Sequence, residues 1–142
     1  MDHYHVACAI IEQSGKVLAA RRSGAMSLPL KWEFPGGKIK EGEAPADCLV
    51  RECREELGVS VAVGVPLSPT THRYPLFTVT LYPFRCALNG GSITLHEHSE
   101  CAWLPPAELH TLDWAEADLP VIEEYRRAVG LQGSTGTGEV KR

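Results

Sequence analysis

No apolar run in the sequence approaches the roughly 20 residues that cross a bilayer as a helix, so a helical membrane span is not expected. The start, MDHYHVACAIIEQ, lacks the basic segment and the apolar length of a secretory signal, and the expected location is the cytoplasm. Cysteine lacks pattern. Cys8, Cys48, Cys53, Cys86 and Cys101 are odd in number, scattered and without CxxC spacing, which indicates buried thiols rather than a disulfide framework or a zinc knuckle. An excess of basic charge is also missing. With a formal charge of −4 the chain does not suggest a duplex nucleic-acid partner, and an anionic substrate would need metal ions to offset its charge.

What is present is the composition of a folded protein. Hydrophobic residues make up 44% and charged residues 23%, close to the globular average, and 142 residues fit one domain with a sizeable core. The end, GLQGSTGTGEVKR, is small and polar with nothing to bury, so the expected division is a domain over 1–130 and a disordered tail over 131–142. No internal repeat is visible, and the oligomeric state cannot be read from the sequence.

Residues 5–11 and 16–20, around Ser14-Gly15, predict a hairpin, and 23–32 predict a loop. Phe34-Pro35-Gly36-Gly37 reads as a loop that exposes its backbone to a ligand. Pro45 to Leu57 has helical spacing, with proline in the first turn, Gly58 at the left-handed cap and Leu49, Cys53 and Leu57 forming one apolar stripe. Strands are expected at 59–65, 70–74, 76–87, 92–95 and 100–104, with Asn89-Gly90-Gly91 as a turn. Pro83 implies an edge or a bulge. A short helix opens at Pro105, and Asp118 can cap a last helix carrying Leu119, Ile122, Tyr125 and Val129. This order predicts the α/β class, a mixed sheet with helices packed on its faces.

Glu52, Glu55 and Glu56 stand at i, i+3 and i+4 and therefore share one helix face. Two readings compete: a solvated face offset by Arg51 and Arg54, or an oxygen-rich site for a hard cation such as Mg²⁺ or Mn²⁺. The surrounding segment, GGKIKEGEAPADCLVRECREELGV, resembles the signature of the Nudix hydrolases, G-x5-E-x7-R-E-U-x-E-E-x-G-U with U a bulky aliphatic residue. Gly37, Glu43, Arg51, Glu52, Glu55, Glu56, Gly58 and Val59 fall in register, and only Cys53 departs from it, at an aliphatic position. WEFPGGKI, the preceding Arg21-Arg22 and Ala-Asp-Leu-Pro-Val-Ile before the last helix are similar to the MutT branch and its cytidine-triphosphate-cleaving relatives, over most of residues 4–128.

The resemblance implies an α/β/α sandwich and a Mg²⁺-dependent enzyme that cleaves a small-molecule nucleoside triphosphate into a nucleoside monophosphate and pyrophosphate. It implies direct metal ligands at the Gly36 carbonyl, Glu52 and Glu56, with Glu55 acting through water or on a second ion, and Glu43 bracing Arg51. Glu97 precedes Trp103 by the six residues that separate a glutamate from a tryptophan in the MutT branch, which makes it a general-base candidate beside the alternative of an ordinary surface carboxylate. Arg22 and Phe34 match positions lining the nucleotide site, and Asp118 falls where the branch has an asparagine that reads the base. An ionised aspartate only accepts hydrogen bonds, so it would favour bases presenting N–H groups, such as cytosine or guanine; the other reading of Asp118 is the helix cap. His72 and Tyr74 could face the base or simply pack. His96, His98 and Cys101 could instead hold a transition metal, although no fourth ligand stands near. The expected substrate is 8-oxo-dGTP, then cytidine triphosphates; nucleotide sugars, dinucleoside polyphosphates and a nucleotide-binding module without turnover are the other readings.

Overall fold

The computed structural model of the protein describes residues 2–131, so the expectation for the tail falls, Leu131 apart, outside the described residues. In chain order the elements are β1 (Asp2–Gln13), β2 (Lys16–Arg21), β3 (Trp32–Glu33), β4 (Gly36–Lys38), α1 (Pro45–Leu57), β5 (Ser60–Pro66), β6 (Thr70–Arg73), β7 (Phe77–Gly90), β8 (Glu100–Leu104) and α2 (Leu119–Ala128). Two 3-10 turns, Pro106–Thr111 and Glu116–Asp118, lie between β8 and α2, the first where a short helix is predicted.

The hairpin turns through Ser14 and Gly15, both at positive φ, as a tight two-residue connection demands. Its strands then part. β1 runs parallel to β7 from Asp2↔Phe77 to Glu12↔Ala87, while β2 continues antiparallel to β8 and β3. β4 adds to β1, and β5 and β6 both pair with β7, so the sheet is mixed. A strand pair this central is covered on both faces, which explains the unbroken buried run Ala7–Ile11. On one face Ala7, Ala9 and Ile11 pack with Leu49, Cys53 and Leu57 of α1; on the other Cys8 and Ile10 pack with Val121, Ile122 and Tyr125 of α2. Helices therefore flank both faces of the sheet in the expected α/β/α sandwich.

α1 has the predicted bounds because its ends are specified locally. Pro45 occupies the first turn, and Gly58 at φ 70° donates its N–H to the Arg54 carbonyl while Val59 reaches back to Cys53. Leu49 and Leu57 are fully buried, a gain of about 1.5–3 kcal/mol each. This face fixes the helix against the sheet and so places the carboxylates of the adjoining face, Glu52 and Glu56, beside β4.

Three expectations need correction. Gly36 and Gly37 are not an open loop but lie in β4, paired with Cys8 and Ala7, in an approach so close that a Cβ on Gly36 would collide with the Ala7 carbonyl. Residues 92–95 form no strand; the Thr94 and His96 N–H groups donate to the last carbonyls of α1, at Leu57 and Glu56. Pro83 is not on an edge but on an interior strand, fully buried, where the partner of β7 changes from β6 to β5 and beside the ladder irregularity between Val63 and Pro66, and its carbonyl accepts from Leu67.

Candidate active site

A cleft of about 600 Å³ opens beside β1, between the N-terminal side of β4 and the loops that follow β2 and β7. Of the residues that the resemblance assigns to the site, Arg22, Phe34, Gly36, Glu52, Glu55, Glu56, Glu97 and Asp118 all line it; Arg51 and Glu43 do not. α1 supplies the acidic end. Phe34, Tyr74 and Asp118 form the other.

Glu56 is the most perturbed carboxyl at the acidic end. Burial first, then the charges of Glu52, Glu33 and Glu97, push its pKa up to about 9, and its Oε1 is buried with no hydrogen-bond partner. A buried carboxylate oxygen without a hydrogen-bond partner, set among other carboxylates, is a site that a divalent cation would satisfy. Glu52 lies against the Cα of Gly37, where a Cβ would overlap its carboxylate, so the strand and the helix face approach closely only because residue 37 is glycine. The oxygen-only donor set suits a hard divalent cation. Among the described residues, however, no three His, Cys, Asp or Glu side chains already enclose an ion. Glu52 and Glu55 are engaged by Arg51 at 2.9 and 3.3 Å instead.

Arg51 stands beside the cleft as a bracket. It takes both oxygens of Glu43 at 2.9 Å and reaches the Lys38 carbonyl at 3.3 Å, tying α1 to β4 and to the loop before it. Its hydrogen bonds, with the Lys40 N–H as second cause, lower the Glu43 pKa to about 2. The signature residues other than the metal candidates thus hold the metal candidates in place.

At the other end Phe34 is buried with its ring 4.8 Å from that of Trp114, and its N–H donates to Asp118 Oδ2 at 3.0 Å. Asp118 does not cap α2. Its side chain makes no cap bond; it turns into the cleft and is 5% exposed. Burial, and next the charge of Glu33, raise its pKa well above the usual carboxylate range, a direction that favours the protonated form over the ionised, accept-only group expected from the sequence. Tyr74 also lines the cleft, its hydroxyl accepting from the Ala117 N–H, whereas His72 lies outside the lining, its ring edge-on to Tyr74. The guanidinium of Arg22 is taken up by Glu33 at 2.8 Å and by the Ser27 carbonyl at 2.6 Å. The apolar wall contributed by Tyr4 and Val6 of β1 and Val79 and Leu81 of β7 was missed, although alternation along β1 would have shown the face.

Glu97 is exposed on the loop between β7 and β8 and carries no hydrogen bond or ion pair with the described residues. Its neighbour His98 is buried and bonds Glu33 through Nε2, while Cys101 pairs across to Ala20 in the sheet. His96, His98 and Cys101 are therefore not gathered around a common point, and the transition-metal reading fails among the described residues. The five cysteines are free, and all but Cys101 are buried.

Comparison with known proteins agrees with this arrangement. The family described as NUDIX domain matches residues 1–125. The CTP pyrophosphohydrolase of Escherichia coli K12 is 34% identical over 88% of this chain and 93% of its own length. The putative 8-oxo-dGTP diphosphatase 2 of Mycobacterium tuberculosis is 36% identical over 91% of each. The solution structure of the MutT Nudix hydrolase from methicillin-resistant Staphylococcus aureus 252 superposes with a TM-score of 0.73 at 42% identity, covering 90% of this chain and 99% of the other. With the signature in register on α1 and its residues gathered in the cleft, the chain belongs to the Nudix hydrolase family.

Proposed function

We propose that this chain hydrolyses a nucleoside triphosphate to a nucleoside monophosphate and pyrophosphate, with 8-oxo-dGTP as its first substrate. The observation that supports this reading is that one cleft joins an acidic helix face to a pocket with an aromatic floor and one buried carboxyl. Glu52, Glu56 and the Gly36 carbonyl would hold Mg²⁺, or Mn²⁺ in its place, with Glu55 acting through water or on a second ion. Such an ion would neutralise charge developing on the phosphates. Glu97 takes a proton from the attacking water as its oxygen bonds to phosphorus and the phosphoanhydride oxygen leaves with pyrophosphate. Arg51 positions the carboxylates.

Base choice falls to Asp118. Burial raises the pKa of this carboxyl and so favours its protonated form, which both donates and accepts. 8-Oxoguanine presents an acceptor at O6 beside an N–H at N7, whereas guanine presents two acceptors there, so the neutral acid favours the oxidised base. Cytosine also offers an acceptor and a donor side by side, at N3 and its amino group, which keeps the similarity to CTP pyrophosphohydrolase as a second reading.

The test is pyrophosphate release with Mg²⁺ from 8-oxo-dGTP, dGTP, CTP, dCTP and 5-methyl-dCTP, compared by kcat/KM. Preference for 8-oxo-dGTP over dGTP is expected. A preference for cytidines moves the assignment to the second reading, and binding without turnover of any of them would make the chain a nucleotide-binding module.

A further inference from the structure

The loop that carries Glu97 has no secondary structure, yet its position is fixed at several points. Thr94 and His96 donate to the Leu57 and Glu56 carbonyls, and Ser99 donates to the Arg21 carbonyl at 2.9 Å. Between them lies His98, whose side chain is 1% exposed and whose Nε2 meets Glu33 Oε2 at 2.8 Å. The other oxygen of Glu33 holds Arg22 at 2.8 Å. Glu33 lines the cleft, and each of its oxygens already accepts a hydrogen bond, one from Arg22 and one shared with His98. Glu97 is the opposite case, facing the cleft with its carboxylate unpartnered among the described residues.

An exposed side chain on a loop swings unless its backbone is held, and proton transfer depends on geometry before pKa. We infer that His98 is a positioning residue: its buried hydrogen bond to Glu33 of β3 pins the loop so that Glu97 is presented to the cleft. The inference rests on the reading of Glu97 as the base. Glu33 thereby joins the two loops bordering the site, because its second oxygen secures Arg22, which in turn holds the loop after β2 through Ser27.

A double-mutant cycle tests it, with kcat and KM measured on 8-oxo-dGTP and on CTP. Glu97→Gln is expected to lower kcat roughly 100-fold. His98→Ala is expected to lower kcat about 10-fold with KM unchanged, and the double variant to be no slower than Glu97→Gln alone. His98→Gln, whose amide N–H can still reach Glu33, should recover much of the loss. If His98→Ala does not fold, His98→Asn keeps a polar group that stops short of Glu33 and should show the same loss. Losses that multiply in the double variant, or a fall confined to KM, overturn the inference. A slow Glu97→Gln with a wild-type rate for His98→Ala sinks the positioning role alone, whereas a wild-type rate for Glu97→Gln sinks the base assignment and the inference with it.

Discussion

The carboxylate of Glu52 rests on the backbone of Gly37, in the space a Cβ would occupy. Two candidate metal-binding segments, β4 and the acidic face of α1, are thereby brought into van der Waals contact. Gly37→Ala should leave the sheet intact, since residue 37 pairs with Ala7 through its backbone, but it must push Glu52 aside at a cost of about 1–3 kcal/mol. A displacement of this kind is expected to lower kcat/KM roughly 100-fold. Kinetics together with far-UV circular dichroism check it; full activity would show that the placement of Glu52 does not matter.

As a metal ligand, Glu56 would link metal binding to pH. Its folded pKa of about 9 lies above the ordinary carboxylate value of 4.5, so the stability it permits is complete below about pH 4.5 and is lost as pH rises through about 9. In a chelator the melting temperature should therefore fall across that window, and Glu56→Gln should flatten the fall. Added Mg²⁺ must displace the proton, so its stabilising effect on the wild type should grow with pH and release protons measurable by calorimetry. Glu56→Gln should lose most of that Mg²⁺ effect. A variant that melts like the wild type in chelator and gains equally from Mg²⁺ would count against Glu56 as a ligand.

What the sequence made legible follows the range of the interactions. α1 could be read to its ends because proline, the apolar stripe and the glycine cap all act within a few residues. Its acidic face gained meaning from the register of Gly37, Glu43 and Arg51, whose contacts span fewer than 16 residues, and these residues do meet. The stretch 92–95 was misread because its donors are used by carbonyls at the end of α1, a partner that strand propensity cannot reveal. The choice between the two readings of Asp118, cap or cleft, was hidden for the same reason, since its partner, the Phe34 N–H, is 84 residues away. Likewise His98 and Glu33, 65 residues apart, carry no local signal of being a pair.

The proposed function makes base preference turn on Asp118, whose state in the cleft can be measured. Its pKa is raised, so by linkage its contribution to stability is whole below the ordinary value of 3.8 and is lost as pH rises through the raised value. Asp118→Asn keeps an acceptor for the Phe34 N–H and a neutral donor, and it cannot ionise. The variant is therefore expected to hold its melting temperature better than the wild type toward alkaline pH and to keep the same ranking of 8-oxo-dGTP over dGTP. Asp118→Ala leaves the buried Phe34 N–H without its partner, a loss of about 1–3 kcal/mol, and should erase the ranking. The comparison separates two physical pictures. A neutral acid and an amide present the same pair of donor and acceptor, so the ranking survives the asparagine. An ionised carboxylate presents acceptors only, and in that case the asparagine would reverse the preference among bases.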